Sequence, residues 1–262
     1  MGHERLGSLP RTRRWRTIVD DISLSKGHAD KVADLADRTL HNVRVRFSNL
    51  HRDSGVQAAF AYLVSLATAA LPRSTGLSSP ETGLDGNPSP ARIAKNLSEW
   101  VRRHALSQEY AEVACRAGAD AIADWTRTHS AQGLLFDNRV HAHGVYASDI
   151  WSESANAKGF CQVARSFFAR FTERYLRYFL EREASAQLPS FEARESFAKS
   201  LHDHIEEVSR HAFETSKITQ SFAAGWFNNH ARESRPTDTE IRGFLATAFG
   251  KLQEEMQREA AE

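Results

Sequence analysis

The chain has 262 residues, of which 41% are apolar and 26% charged, and its net charge is +1. This composition excludes an intrinsically disordered chain, and the balance of 34 basic against 33 acidic residues excludes a protein that is basic throughout. Only Cys115 and Cys161 are present, too few for a disulfide framework, so we expect free thiols in a reducing compartment. The polar start and the lack of any apolar run of about 20 residues predict a cytoplasmic protein with no membrane association.

Residues 1–27 are predicted to form an N-terminal arm and a short helix, and they contain the densest basic cluster of the chain. Closely spaced arginines around an aromatic ring suit contact with phosphates together with stacking on bases. The candidate nucleic-acid-binding residues are therefore Arg11, Arg13, Arg14, Trp15 and Arg16. Alternatively, Trp15 faces the core, because it is in helical register with the apolar residues that follow, and the arm docks on its own domain or on a partner.

Residues 28–71 are predicted to form a helical hairpin whose second helix is N-capped by Ser54. At the end of its first helix, Arg46 and His51 have a spacing that resembles the Arg-x4–6-His pattern of HEPN-type ribonucleases. The resemblance implies that both side chains act on a scissile phosphate. The alternative is a helix end that carries solvated charges, since 27 arginines and 12 histidines produce such spacings by chance.

Residues 72–89 are predicted to be a flexible linker or long surface loop, since residues 72–90 hold four of the seven prolines. Ser89 as N-cap and Pro90 at the first helical position then begin the main helical domain, residues 90–262. Within it, residues 134–146 favour a minor β-hairpin or an irregular loop. Alternation along such a strand would place His141 and His143 on one face, where both could bind a metal, although the third ligand would come from elsewhere. The alternative is a solvated loop.

A helix from about Asn156 to Glu183 carries a stripe of aromatic residues, and Arg170, Arg174 and Arg177 lie on its flank. At about 100° per residue the aromatic side chains fall within an arc of about 120°, which predicts a core helix. A groove for a partner helix or an apolar ligand is the alternative. The stripe consists of Phe160, Phe167, Phe168, Phe171, Tyr175, Tyr178 and Phe179.

The next helix, from Ser190, contains His202 and Asp203, a pair that resembles the adjacent His-Asp ligands of HD-type phosphohydrolases. That resemblance implies a metal centre on an all-helical fold, and it needs a further His and Asp, for which His143 and Asp238 are the nearest fits. The helical period favours the alternative, a solvated face beside the apolar stripe.

The segment from Gly225 to His230 is predicted to be a helix end with Asn228 or Asn229 in the left-handed conformation. Trp226 and Phe227 within it are the candidate partner-binding residues, because tryptophan is frequent at interface hot spots. Thr237 and Glu240 form a capping-box sequence that begins the last helix.

Together these patterns predict an all-α protein, an irregular multi-helix bundle of about 8–10 helices with one minor β-hairpin near 134–146.

Arginine outnumbers lysine 27 to 7, which indicates a GC-rich bacterial genome. The leading hypothesis is a non-catalytic subunit or scaffold of a bacterial multi-protein complex, such as an anti-phage defence system. It predicts other protein subunits as partners, no cofactor and no catalytic role. The alternatives are a nucleic-acid-binding protein that uses the basic arm, and a metal-dependent phosphohydrolase or HEPN-like ribonuclease.

Overall fold

The structure, a computed structural model, describes residues 12–71, 82–84, 88–106, 109–136, 147–213 and 221–259. This part of the chain is helical and contains no strand, which confirms the all-α multi-helix prediction. None of its helices is long and apolar enough to cross a membrane. The elements are α1 (Arg13–Ser25), α2 (Ala29–Ser48), a 3-10 turn (Asn49–Arg52), α3 (Ser54–Thr68), α4 (Pro90–His104), α5 (Ala111–Phe136), α6 (Ala147–Ser152), α7 (Ala157–Gln187), α8 (Phe191–Phe213), α9 (Phe222–Trp226), a π-helical turn (Phe227–Ala231) and α10 (Asp238–Glu259).

Helix α7 lies at the centre of the bundle and packs against α1, α2, α3, α5, α8 and α9. Its aromatic stripe is buried, because every member except the half-buried Tyr178 is 1% exposed or less. The stripe meets aromatic rings of other helices, including Phe60 of α3, whose ring stacks on Phe244 of α10 at 4.9 Å between centroids. The predicted core helix is therefore the helix around which the others pack.

The helix starts follow from local side-chain capping. Ser89 accepts a hydrogen bond from the N–H of Arg92, with Pro90 in the first turn, as predicted. The predicted Ser54 cap is wrong, because the carboxylate of Asp53 accepts from the N–H groups of Gly55 and Val56 instead. Asp53 immediately precedes Ser54, and its carboxylate satisfies two free N–H groups at the start of the helix.

The capping box at the start of α10 is present as predicted. The N–H of Thr237 donates to Glu240 Oε2 at 2.7 Å, and the N–H of Glu240 lies 3.3 Å from Thr237 Oγ1. The hydrogen bond from the Thr237 backbone, followed by those from the side chains of His230 and Thr237, lowers the pKa of Glu240 to about 2. This box joins α10 to the π-helical turn through His230.

Two predictions of local backbone structure are wrong. Residues 134–136, predicted as the first strand of a hairpin, belong to α5, and residues 137–146 lie outside the described residues. The segment from Phe227 to Ala231 is a π-helical turn, and Lys26 is the non-glycine residue with positive φ in the described ranges, so neither Asn228 nor Asn229 is left-handed. A short apolar run and a helix end are both patterns that tertiary packing decides.

Part of the predicted linker packs on the helical body. The hydroxyl of Tyr62 on α3 donates to the backbone oxygen of Thr82 at 2.8 Å, and Leu84 is buried. Residues 72–81 and 85–87 lie outside the described residues. The described piece of this segment is thus attached to α3.

The turn between α1 and α2 holds α8 in place. Gly27 has a φ of +79°, and a Cβ there would lie 2.8 Å from the Cβ of Ser196, so the position requires glycine. The hydroxyls of Ser196 and Ser200 both donate to the backbone oxygen of Gly27 at 3.0 Å. Further along α8, His204 contacts Asp37 of α2 at 3.0 Å, with both side chains nearly buried.

We expect the Phe168→Ala substitution to lower the free energy of unfolding by about 3–5 kcal/mol, because it leaves a cavity in the core. The Phe168 ring lies 5.1 Å from Phe249 and 5.3 Å from Phe213, between centroids, and is fully buried. Phe191→Ala is the matched control, because that ring is 72% exposed, and its effect should stay within about 0.5 kcal/mol. Urea unfolding measures both, and similar losses would contradict the central role of the stripe.

Candidate functional site

A charged cleft opens between α5, α7 and α8, with a volume of about 360 Å³. A second depression of about 350 Å³ continues along α7, and the two share Asp124, Arg127 and Arg170. The volume of the cleft is in the range of small-molecule sites. Its polar lining residues are Asp124, Arg127, Thr128, His129, Gln162, Arg165, Ser166, Arg170, His202 and Glu206.

Arg170 lies at the centre of this cleft and connects the three helices. Its Nη2 and Nε atoms lie 2.9 Å and 3.2 Å from Asp124 Oδ2 on α5, and its Nη1 lies 3.4 Å from Glu206 Oε1 on α8. Burial lowers the pKa of Arg170, but the hydrogen bond to Asp124 and the nearby carboxylates outweigh it, so the pKa is raised overall. The guanidinium therefore stays charged and holds α5, α7 and α8 together at one point.

His202 of α8 is engaged on both ring nitrogens by residues of α7. Its Nδ1 lies 2.9 Å from Glu173 Oε2, and the Nη1 of Arg170 lies 3.1 Å from Nδ1 and 3.4 Å from Nε2. A neutral imidazole has one N–H donor and one acceptor, whereas a guanidinium only donates. Because Arg170 Nη1 lies at similar distances from the two ring nitrogens, it is not aligned with the in-plane lone pair of either one, whereas Nδ1 is placed to donate to Glu173.

The remaining arginines of the α7 flank extend this network along the helix. Arg174 Nε lies 3.2 Å from Asp120 Oδ2 on α5, and Arg177 Nη2 lies 3.2 Å from Glu173 Oε1 one turn away. Asp120 and Asp124 are four residues apart, as are Arg170 and Arg174, so one face of each helix presents successive charges to the other. We call these six residues the ion-pair ladder: Asp120, Asp124, Arg170, Glu173, Arg174 and Arg177.

Four further polar residues line the cleft: Arg127 and Thr128 of α5 and Gln162 and Arg165 of α7. Arg127 is paired with Asp124 of its own helix, and its side chain is 75% exposed. Thr128 and Gln162 make no hydrogen bond with the part of the chain that the structure describes.

The HD-type pair does not converge on one site. His202 faces the cleft, Asp203 is exposed and pairs with Lys199, and His204 contacts Asp37 of α2. Consecutive residues of a helix are about 100° apart, so the three side chains face three directions. Across the described ranges, no group of three His, Cys, Asp or Glu residues could hold a metal ion.

The other predicted site residues have separate positions. Arg11, His141 and His143 lie outside the described residues. The Nδ1 of His51 lies 2.6 Å from the backbone oxygen of Ser48, so this ring caps the end of α2. Arg46 is partly buried, close enough to Tyr110 to act on the pKa of its hydroxyl, which burial raises.

The basic cluster of α1 divides into a buried ring and exposed charges. Trp15 is 5% exposed and packs edge-on against Phe179 of α7, with 6.4 Å between ring centroids. The ring is therefore not accessible for stacking on a base. Arg13, Arg14 and Arg16 are exposed.

The two candidate partner-binding residues lie beside Phe160 of α7. Phe227 is 1% exposed, and its ring centroid lies 5.3 Å from that of Phe160. Trp226 is half-buried and stacks on Phe160 at 5.5 Å. Both aromatic rings therefore contribute to the core, with only part of Trp226 accessible.

The cleft was not predicted, although the sequence contains a signal for it. The arginines on the flank of α7 were recognised, but the acidic residues of α5 that pair with them were not. Two carboxylates one turn apart, Asp120 and Asp124, match two arginines one turn apart, Arg170 and Arg174. Helices that pack side by side bring such complementary spacings together.

We expect Arg170→Gln to lower the free energy of unfolding by about 2 kcal/mol, because it leaves partly buried carboxylates without their charged partner. Arg116→Gln is the matched control on α5, since Arg116 is exposed and its ion-pair partner among the described residues is Glu112 of the same helix. Its effect should stay below about 1 kcal/mol. Denaturant unfolding compares the two variants, and equal losses would mean that the ladder does not join the helices.

No protein-family model matches this chain. Searches of curated proteins and of solved structures likewise find no significant match. The function is therefore proposed from the contacts, burial and charges of the chain itself.

Proposed function

We propose that this protein is a non-catalytic helical subunit of a larger assembly and that it binds another protein chain through apolar contacts. The observation that carries the proposal is the set of large apolar side chains left outside a closed core. They are Leu24, Val45, Leu106 and Phe191, which are 62%, 68%, 97% and 72% exposed. The setting expected from the sequence, a bacterial complex encoded by neighbouring genes such as an anti-phage system, is part of this proposal.

Leu106 is the most exposed of these four side chains. Its backbone N–H donates to the hydroxyl of Ser54 at the start of α3, at 2.8 Å, while its side chain is 97% exposed. The backbone is thus held in position with the apolar side chain directed into solvent. A backbone held in this way loses little conformational entropy when a partner covers the side chain.

The cleft supports a binding role over a catalytic one. A general base needs a lone pair directed at the substrate. In His202, Nδ1 contacts Glu173, and the guanidinium of Arg170 lies within 3.4 Å of both ring nitrogens. Arg170 in turn is neutralised by Asp124 and Glu206. The acid–base groups at this end of the cleft are thus engaged with one another.

The test is to purify tagged protein co-expressed with its neighbouring genes and to compare it with the Leu106→Ser variant. A stoichiometric protein partner should be recovered after nuclease treatment, and the substitution should reduce that recovery about tenfold, as loss of one hot-spot side chain does. Recovery should be quantified by mass spectrometry relative to the tagged chain.

Lys31→Ser is the control, because Lys31 is exposed and is not one of the four apolar side chains. Lys31 lies near the start of α2, whereas Ser54, which holds Leu106, follows the end of that helix. The 20 residues of α2 separate the two positions by about 30 Å. Partner recovery should therefore survive the Lys31 substitution. A monomeric wild-type protein without any protein partner, or equal recovery with Leu106→Ser, would refute the proposal.

A second candidate function, nucleic-acid binding, is favoured by the first turn of α1. Arg13, Arg14 and Arg16 are exposed and form no ion pair with the part of the chain that the structure describes. The arginines of the ladder, by contrast, all face carboxylates. Exposed, unpaired arginines at the N-terminal end of a helix suit contact with phosphate groups.

For this function we expect the triple substitution of Arg13, Arg14 and Arg16 by Ala to weaken nucleic-acid binding and to reduce the salt slope by about 2–3. A triple substitution of Arg92, Arg102 and Arg103, which removes the same charge from the exposed face of α4, serves as the control. Fluorescence anisotropy with single-stranded and double-stranded oligonucleotides at several salt concentrations measures both. Identical slopes for the two triple variants would remove this candidate.

A further inference from the structure

Helices α1 and α2 pack side by side, and two contacts between their side chains fix how they are aligned. Arg38 Nη2 of α2 lies 2.8 Å from Asp21 Oδ2 of α1, and the hydroxyl of Thr12, which caps α1, donates to Asn42 Oδ1 of α2 at 3.2 Å. Residue numbers therefore rise along α2 as they fall along α1, so the two helices are antiparallel. The first turn of α1 lies beside the second half of α2.

The two stretches that meet in this way contain no acidic residue. Residues 12–19 contain three arginines, and residues 38–52 contain four arginines and two histidines. Arg38 is neutralised by Asp21 of α1 and by Asp34, one turn earlier in its own helix. The other charges of these stretches have no carboxylate within their own segment, so this side of the α1–α2 pair carries an excess of positive charge.

Four of these arginines lie close to the contact between Thr12 and Asn42, are exposed and form no ion pair with the described residues. We call them the basic face: Arg13, Arg14, Arg16 and Arg44. The three arginines of α1 are within four residues of Thr12, and Arg44 is two residues from Asn42, so the hydrogen bond between the two helices brings the four charges into one region. Asp20, one turn after Arg16, makes no ion pair with it in the described part of the chain.

The side chains around the basic face leave the guanidinium groups as its available contacts. The aromatic rings of the two stretches, Trp15 and Phe47, are 5% and 0% exposed, so neither can stack on a base. The hydroxyls of Thr17 and Ser48 donate to backbone oxygens of their own helices. A guanidinium only donates hydrogen bonds, and its planar fork matches the oxygens of a phosphate.

We propose that the basic face binds the phosphate backbone of double-stranded DNA. This inference rests on the second candidate function above and specifies its ligand. Packed helices have axes about 8–10 Å apart, so arginines on two of them can contact the two backbones that flank a groove of about 6–12 Å. A single strand offers one backbone, and its bases would find no exposed ring in the two stretches on which to stack. Four donors also offer no acceptor to the 2′-hydroxyl by which proteins distinguish RNA.

The experiment is fluorescence anisotropy of the full chain with a DNA duplex, a DNA single strand and an RNA duplex of the same sequence, at several salt concentrations. The DNA duplex should bind more tightly than the single strand, and the RNA duplex should bind no more tightly than the DNA duplex. Four phosphate contacts, at about 0.9 each, predict a slope of roughly −3.6 for the logarithm of the binding constant against that of salt.

Arg44→Gln tests the contribution of α2. It should reduce the salt slope by about 0.9 and weaken duplex binding roughly tenfold at about 0.1 M salt, because one phosphate contact is lost. Arg44 is exposed, so the fold should stay intact, which circular dichroism checks. Arg102→Gln is the charge-matched control, since Arg102 is exposed on α4, which packs on α3 and α5. This variant should bind like the wild-type chain.

The possible results separate this inference from the candidate function on which it rests. A single strand bound at least as tightly as the duplex, or an RNA duplex bound more tightly than the DNA duplex, would overturn the inference but leave nucleic-acid binding in place. An unchanged slope in Arg44→Gln, when the triple substitution of Arg13, Arg14 and Arg16 lowers it, would do the same, because α2 would then take no part. No binding of any probe at low salt would refute both.

Discussion

The structure depends on the burial of one long helix. Helix α7 has 31 residues, and its aromatic stripe must be covered along most of that length. No single partner helix could cover it, so α2, α3 and α10 supply rings such as Phe47, Phe60 and Phe249 that pack against the stripe or against one another. Fully buried aromatic rings contribute several kcal/mol each to stability. The positions of the surrounding helices follow from this requirement.

The same helix explains why the charged cleft lies next to the core. The aromatic stripe occupies one arc of α7, so the arginines fall on its flank, where α5 and α8 approach. Glu173, between these surfaces, is only 7% exposed, yet it contacts both Arg177 and His202. A carboxylate so deeply placed is tolerated because the guanidinium groups of Arg170 and Arg177 lie 3.5 Å and 3.2 Å from its oxygens. The ladder therefore joins α5 to α7, and Arg170 also contacts Glu206 of α8.

Features with a local cause could be predicted from the sequence. The stripe follows from the helical period, and the capping box of Thr237 and Glu240 follows from four consecutive residues. The cap predicted at Ser54 is one residue too late, because Asp and Ser both cap well and only the geometry distinguishes Asp53 from Ser54. Residues 134–136 were assigned to a strand because a short apolar run has no period of its own.

The cleft could not be predicted because its residues are far apart in the sequence. Asp124, Arg170 and Glu206 come from three helices, and their proximity requires knowing which helices are neighbours. The pair His202 and Asp203 shows the opposite error, since adjacency in sequence suggested a shared site. Adjacent side chains of a helix point in different directions. His202 therefore contacts Glu173 of α7, whereas Asp203 pairs with Lys199 one turn earlier in its own helix. Residues three or four apart on facing helices are therefore the better guide to a site in a helical bundle.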